Sequence, residues 1–405
     1  MYFYLVPPIY VFGHILFFLI LNWWLSSAFA AWRGSRAPKV ILAAVIFVFM
    51  VIGLLGCFLP DSSLKFRLTA AANIWFGVIF YMGLTALTAS IILLAIRLIL
   101  RRDLLEHVWL ARALTVLIIL ETAAVNIYGL KHATDVKVNT LSVHVDKPFS
   151  IGEGEEKRNS LKVVLIGDLH MSVNSTPEHI RKTVELINQQ DADLVLVAGD
   201  FLTSTYNGLK DPETYQEILK GIKSRYGSYA VYGNHDVEEP LLGGFPMTGK
   251  EKAIRSDEIP AFIAGCGFEI LSDEVREVVE NKIVLVCRED GEKTGRGLEE
   301  RMKAQDLMAG IDRTKPVLVL EHEPVDYANL YEAGADAAFS GHTHAGQMFP
   351  ATVFTPLFNE NNYGLKLVDG VQSVVTSGVG FYGPPLRVGS DSEVMVVDLT
   401  FEISE

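Results

Sequence analysis

The chain has 405 residues, enough for two or three domains, and its 50% content of apolar side chains is too high for a disordered polymer. A formal net charge of -13, carried mainly by the part after residue 131, disfavours nucleic acid as the main partner. The three cysteines, Cys57, Cys266 and Cys287, form no Cys-x-x-Cys pair, which argues against a thiolate metal site and leaves only Cys266 and Cys287 as a pair outside the apolar third.

The composition divides the chain into residues 1–130 and 131–405. The first part holds four apolar runs, at about 9–30, 40–59, 70–96 and 113–130, each near the ~20 residues that cross a bilayer core. The first run has neither a basic leader nor a small-residue cleavage site, so it reads as a membrane helix rather than a removable signal. Trp23, Trp24 and Trp32, with Tyr2, Tyr4 and Tyr10, suit interfacial aromatic belts. Arg33, Arg36 and Lys39 follow the first run, and Arg97, Arg101, Arg102 and Arg112 follow the third. Only Lys65 and Arg67 lie between the second and third, beside Asp61. Cytoplasmic loops are the basic ones, so a multi-pass protein of the cytoplasmic (inner) membrane is expected, with residues 131–405 facing the periplasm or cell exterior. His14, Asn22, Glu121 and Asn126 fall in or near the membrane. They read as structural, with Glu121 either lying shallow or pairing to His14, and a lipid-binding groove between helices is the functional alternative. Transport is disfavoured, since no paired charges or broken helices recur.

After residue 131 the pattern alternates short β-branched runs with amphipathic stretches. Strands are expected at 139–145, 162–166, 194–198, 229–232, 275–279, 282–286, 317–320, 337–339, 371–376 and 394–399. Ser175-Thr176-Pro177 starts a helix, with Pro at the first helical position, and further helices are expected at 257–264 and 298–308.

Several of these strands stop at an Asp, Asn or His, as in open α/β sheets that present a site at strand ends. Asp168 and His170, two apart in an extended segment, point to one side. Asp200, Asn234, His322, His342 and His344 bring the oxygen and nitrogen donors to seven, too many for one ion and suited to two bridged by a carboxylate. Each block alone has a bland reading: Gly199-Asp200 and Gly233-Asn234 as turns, His322 as a solvated side chain, His342 and His344 as edge-strand polar groups. Five turns that each select a ligand outweigh those readings. His107, His132, His144 and His179 lack such company and read as solvated or locally hydrogen-bonded.

The five blocks Gly167-Asp168-Leu169-His170, Gly199-Asp200, Gly233-Asn234-His235-Asp236, Glu321-His322 and Gly341-His342-Thr343-His344 resemble, in this order, the calcineurin-like metallophosphoesterase family over roughly residues 160–400. The stretch Gly-His-Thr-His-Ala-Gly-Gln is similar to its membrane-associated bacterial branch, with Ala345 where Gly is more usual. The resemblance implies an α/β fold, a four-layer α-β-β-α sandwich, here preceded by a transmembrane region of about four helices. It implies two divalent ions, Mn, Fe or Zn: one held by Asp168, His170 and His344, the other by Asn234, His322 and His342, with Asp200 bridging. A hydroxide between the ions would attack phosphorus in line, and His235, not a ligand, would help the leaving oxygen depart.

The expected function is therefore a membrane-anchored phosphoesterase, read as a phosphodiesterase, acting on a phospholipid, a lipid-linked sugar phosphate or an envelope polymer. The apolar stretches 243–247 and 350–363, the latter with Phe354, Leu357 and Phe358, read equally as a lipid-touching rim or as core packing. Gln347, Tyr382 and Arg387 are candidates for recognising the phosphate or head group. The alternative is a non-catalytic metal-binding membrane module, a sensor or assembly subunit. Retention of His235 separates the two.

Overall fold

A computed structural model describes every residue except Met1, Arg102, Asp103, Glu155, Glu156, Gly243, Gly244, Thr248, Ser404 and Glu405. Arg102 and the pair Gly243-Gly244 therefore lie outside the described residues, as do the side chains of Tyr2, Tyr4 and Phe245. In chain order the elements are helices α1 (Tyr2–Ala28), α2 (Ala30–Gly34), α3 (Ala37–Phe58), α4 (Ser63–Leu100) and α5 (Val108–His132), then β1 (Lys137–Phe149), β2 (Ser160–Ile166), α6 (Pro177–Asn188), β3 (Leu194–Ala198), α7 (Pro212–Leu219) and β4 (Ser228–Val231). There follow a hairpin of β5 (Leu241–Leu242) and β6 (Phe245–Pro246), α8 (Glu258–Gly265), β7 (Glu269–Ile270), β8 (Glu274–Val278), β9 (Ile283–Cys287), α9 (Ala304–Leu307), β10 (Val317–Leu320), α10 (Tyr327–Ala333), β11 (Ala337–Ser340), α11 (Ala351–Phe354), β12 (Gly364–Val368), β13 (Val371–Val375) and β14 (Glu393–Ile403).

These elements form two compact units. One comprises residues 1–131, 240–249 and 383–386; the other holds 132–239, 250–382 and 387–405. Among the described residues of the first unit, four helices are long and apolar enough to cross a membrane: Pro7–Ala28, Ala37–Phe58, Ser63–Leu100 and Val108–His132. The third outruns its apolar stretch because Ser62 caps it, accepting from Lys65 N, and it ends where Arg101 turns left-handed. Small residues let the helices approach, so that Gly56 lies against Thr69 and Gly53 against Tyr10. Trp24 is buried with Ala86 and Ile118, and its indole N–H donates to Ala86 O and Ser90 Oγ. Glu121 accepts from Thr85 Oγ1 at 2.7 Å, not from His14. The expected pair fails because Thr85 reaches the carboxylate from α4, while His14 Nδ1 turns back to Tyr10 O on its own helix at 2.9 Å. The β5–β6 hairpin packs on this unit through Leu242 and Met247, which cluster with Cys57 beside Tyr10 and Leu54.

The second unit has two six-stranded sheets, ordered β1-β14-β2-β3-β4-β7 and β12-β13-β11-β10-β9-β8. Their inner faces share one core, with Leu165, Leu196 and Val397 from the first sheet meeting Leu285, Leu320 and Phe339 from the second. On the outer face of the first sheet, α6, α7 and α8 cover Val164, Val195 and Ala230. On the outer face of the second, α9 and α10 cover Val284, Val319 and Ala338. This is the four-layer α-β-β-α arrangement. β2, β3 and β4 run parallel, as do β9, β10, β11 and β13, so each set points its carboxyl ends to one edge.

The helix expected over 298–308 contracts to Ala304–Leu307. Its first half is held open by side chains that capture backbone groups: Thr294 Oγ1 donates to Glu299 O, and Asp273 Oδ2 accepts from Met302 N. His179, expected to be solvated or locally bonded, is buried on α6 and donates from Nε2 to Val379 O, 200 residues away. His144 is exposed beside Asp146 and Thr400.

Candidate metal centre

β2, β3 and β4 of one sheet end just before Asp168, Asp200 and Asn234; β10 and β11 of the other end just before His322 and the pair His342 and His344. Asp168, His170, Asp200, His342 and His344 all hold positive φ, between 42° and 70°. For residues with a Cβ this left-handed backbone is strained, and such strain concentrates at functional sites. Glycine makes the crossing possible: a Cβ on Gly199 would sit 2.6 Å from Gly233 N, and one on Gly233 would collide with Asp200 Oδ1.

The seven side chains converge. His170 Nε2 lies 3.0 Å from His344 Nε2 and 3.4 Å from Asp200 Oδ2, and His344 Nε2 is 3.5 Å from Asp168 Oδ1. On the other side of Asp200, His322 Nε2 is 3.2 Å from the same Oδ2, 3.1 Å from Asn234 Oδ1 and 3.2 Å from His342 Nδ1. Ligand atoms about 2.1 Å from a shared ion sit roughly 3.0 to 3.4 Å apart, so both groups have coordination spacing. The orientation agrees with the spacing. His322 Nδ1 donates to Ala198 O at 2.7 Å, which leaves Nε2 with a lone pair facing two oxygen acceptors and another imidazole. Acceptors turned on one another need a cation between them, and this donor set fits two divalent ions.

The electrostatics follow from burial. Desolvation pushes the His170 imidazole down to about 3 and that of His342 down to about 4, so both rings are neutral at neutral pH and each has one nitrogen with a free lone pair. Burial, with the neighbouring Asp200, raises Asp168 to about 7. Asp200 resists burial because His322, His235 and His170 surround it, and it stays well below the usual carboxylate range. Burial disfavours charge on His322 too, yet Asp200 and Asp168 hold its pKa well above the ordinary value.

His235 sits apart from both groups. Its Nδ1 meets Ser204 Oγ at 2.9 Å and Glu239 Oε1 at 3.5 Å, and its ring lies 4.4 Å from that of Tyr382. Glu239 is buried and receives Lys293 Nζ at 2.7 Å. With Nδ1 engaged, Nε2 is the nitrogen left for chemistry.

Several supporting groups had no assigned role in the sequence. Asp236 accepts from Gly233 N and Leu202 N, tying the Asn234 loop to the Asp200 loop. Glu292 accepts from Asn234 Nδ2 at 2.7 Å and so turns Asn234 Oδ1 toward His322. Asp236 stood inside a quoted motif and was findable; Glu239, Glu292 and Lys293 carried no local signal. Of the recognition candidates, Arg387 is a brace. Its guanidinium is fully buried and donates to the carbonyls of Gly380, Ser377, Gly378 and Asp391. Gln347 clasps Tyr382 by its backbone, donating to its O and accepting from its N. Phe354, Leu357 and Phe358 are 54%, 74% and 83% exposed, which removes core packing as their role.

Two facing sheets whose strand ends carry a seven-donor dinuclear site define a metallohydrolase scaffold. Residues 161–346 match the family model for calcineurin-like phosphoesterases, so this unit is a calcineurin-like metallophosphoesterase domain, the scaffold of metal-dependent phosphoric ester hydrolases. A transmembrane protein with metallophosphoesterase domain from Danio rerio is 29% identical over 69% of this chain and 61% of its own length. An uncharacterized metallophosphoesterase from Helicobacter pylori is 28% identical over 59% of this chain and 60% of its own. The chain thus spans about three-fifths of each of these two relatives.

Proposed function

We propose that the protein is a membrane-anchored phosphodiesterase of the cytoplasmic membrane that cleaves a lipid-linked or envelope phosphate ester on the periplasmic or outer side. Asp168, His170 and His344 hold one ion, Asn234, His322 and His342 the other, and Asp200 belongs to both. The observation that carries this reading is Asp200 Oδ2, set 3.4 Å from His170 Nε2 and 3.2 Å from His322 Nε2. Two bound divalent ions supply Lewis acidity to a water molecule and to the phosphate oxygens. His235, its Nδ1 fixed by Ser204 and Glu239, holds the proton that the leaving oxygen takes, at Nε2.

Preference for a diester is supported by where the neighbouring cations are spent. Arg387 serves backbone carbonyls, Lys293 serves Glu239 and Arg255 serves Glu289, so the extra charge of a monoester meets no further uncommitted cation among these groups. The exposed Phe354, Leu357 and Phe358 support a membrane-borne substrate, as does the presence of four apolar helices. Outward placement is supported by Arg33 and Arg36 after the first membrane helix, Lys39 in the first turn of the second, and Arg97 and Arg101 at the end of the third.

The test is hydrolysis of a soluble aryl phosphodiester by the full-length, Mn-loaded protein, with Asp200→Ala and His235→Ala as comparisons. Turnover that is lost in both variants supports the proposal. A wild type that binds two ions and cleaves nothing leaves the non-catalytic metal-binding module as the answer.

A further inference from the structure

The first unit takes in two short segments from far along the chain, residues 240–249 and 383–386. Each is the direct continuation of a group that lies beside His235. Glu239, with Oε1 3.5 Å from His235 Nδ1, runs into Pro240. Tyr382, whose ring lies 4.4 Å from that of His235, runs into Gly383. Glu239, Tyr382 and His235 all belong to the second unit, yet the chain leaving the first two is seated among the apolar helices of the first. The seats are specific. Leu386 is 1% exposed and fills space that Gly77 leaves on α4: a Cβ at 77 would fall on Leu386 Cδ1 and lie 2.9 Å from Asn126 Oδ1 of α5. Leu242 and Met247 of the hairpin segment are buried against Cys57 of α3, whose Sγ donates to Met247 Sδ at 3.4 Å.

Neither connection has slack. Only Gly383, Pro384, Pro385 and Leu386 stand between Tyr382 and Arg387, and the proline rings fix φ, so a shift at Leu386 passes to the ends of the segment instead of dissipating within it. Those ends are held in turn. Gln347 clasps the Tyr382 backbone at N and O, and the Arg387 guanidinium is spent on the carbonyls of Ser377, Gly378 and Gly380. In the other segment Met247 N donates to Pro240 O at 3.0 Å. That bond closes the hairpin at its base, so the hold on Met247 reaches the residue next to Glu239.

We infer that the first unit positions His235 for catalysis: Leu386, seated on Gly77, fixes Tyr382 beside the imidazole ring, and Met247, seated on Cys57, fixes Glu239 beside its Nδ1. Leu386, Gly77 and Met247 are positioning residues that act through Tyr382 and Glu239. The inference deepens the function above and rests on it for the role of His235 as proton donor. Under it the apolar helices do more than tether the hydrolase, since packing among them sets the rate of its chemistry.

The experiment uses the full-length, Mn-loaded protein in phosphatidylcholine nanodiscs and a soluble aryl phosphodiester. Wild type is compared with Gly77→Val, which evicts Leu386, with Leu386→Ala, and with Gly77→Ala/Leu386→Val, which moves one carbon from leucine to glycine and refills the same space. Gly13→Ala on α1, where a Cβ meets nothing within 4 Å, is the control. Gly77→Val and Leu386→Ala are expected to lower kcat about tenfold, inside the roughly 10²-fold that a misplacement of about 1 Å can cost, with KM and bound metal unchanged. The double variant is expected to return to near the wild-type kcat. Wild-type kcat in both single variants overturns the inference, as does a loss that Gly13→Ala shares or that comes with loss of metal. Hydrogen exchange mapped by mass spectrometry gives a second reading that needs no turnover. Exchange over residues 376–388, which include the Tyr382 amide bonded to Gln347, should quicken in Gly77→Val and slow again in the double variant. Unchanged exchange overturns the inference whatever the rates. A wild type that cleaves nothing defeats the phosphodiesterase alone, and exchange still decides whether Leu386 holds Tyr382.

Discussion

Glu239 and Lys293 form a buried ion pair, 2.7 Å apart, with Lys293 only 4% exposed. Replacing Glu239 by Ala leaves the ammonium without its carboxylate, and breaking a buried pair in this way costs about 3 to 5 kcal/mol. For a domain of this size each kcal/mol lowers Tm by about 2 to 4 °C, so Glu239→Ala is expected to lose roughly 10 °C. Removing both charges in Glu239→Ala/Lys293→Met should recover most of that, because no uncompensated charge remains. Catalysis should not recover with it. His235 keeps Ser204 at 2.9 Å but loses Glu239 at 3.5 Å, and a general acid worth about 10² to 10⁴ in rate is then held by one contact instead of two. Both the single and the double variant are expected to show about a tenfold lower kcat on an aryl phosphodiester, with two ions still bound. Calorimetry and steady-state kinetics on the same samples check this. A double variant that regains wild-type kcat along with stability would refute the idea that Glu239 positions His235.

Asp200→Ala is expected to reduce bound metal from two ions toward one and to abolish turnover, read by elemental analysis beside the rate. Metal uptake should release more protons at pH 6 than at pH 8. Asp168, raised to about 7, must first lose its proton, whereas His170 and His342, lowered to about 3 and 4, are already neutral. By the same sign, Asp168 alone contributes stability to the apo domain that falls as pH rises from about 4 to 7, while His170 and His342, lowered below their unfolded values, contribute in the opposite sense between about 4 and 6.5. Calorimetric titration in buffers of different ionisation enthalpy reads the protons, and release that does not vary with pH contradicts the assignment. Arg387→Met is expected to lower Tm, by about 3 kcal/mol or more of stability, because it strands several buried carbonyls. A raised KM with unchanged Tm would instead return Arg387 to substrate recognition.

The side chains that converge were legible because they follow buried, apolar runs that end at glycine or a polar turn, as Leu194–Ala198 does before Gly199-Asp200. Period and punctuation are local properties, and they also located the four apolar helices. What was missed depends on distance along the chain. Glu239 meets Lys293 across 54 residues and Asn234 meets Glu292 across 58, and no window of sequence holds both partners. Arg387 was misplaced for a related reason: an arginine near a phosphate site reads as a ligand until the carbonyls that surround it are known. Helix α7 was overlooked because its eight residues start from a left-handed Asp211 and bury only Tyr215 and Leu219. The 298–308 helix was over-read because propensity took no account of side chains that claim its backbone.

The left-handed torsions at Asp168, His170, Asp200, His342 and His344 bear on how the protein survives in a cell. Each of these conformations raises the energy of the empty domain, and each is tolerated because ions bind the folded chain and not the unfolded one. Occupancy then governs lifetime as well as turnover. A cell starved of transition metal should lose the protein to proteolysis, and supplementation should slow that loss while new synthesis restores its abundance.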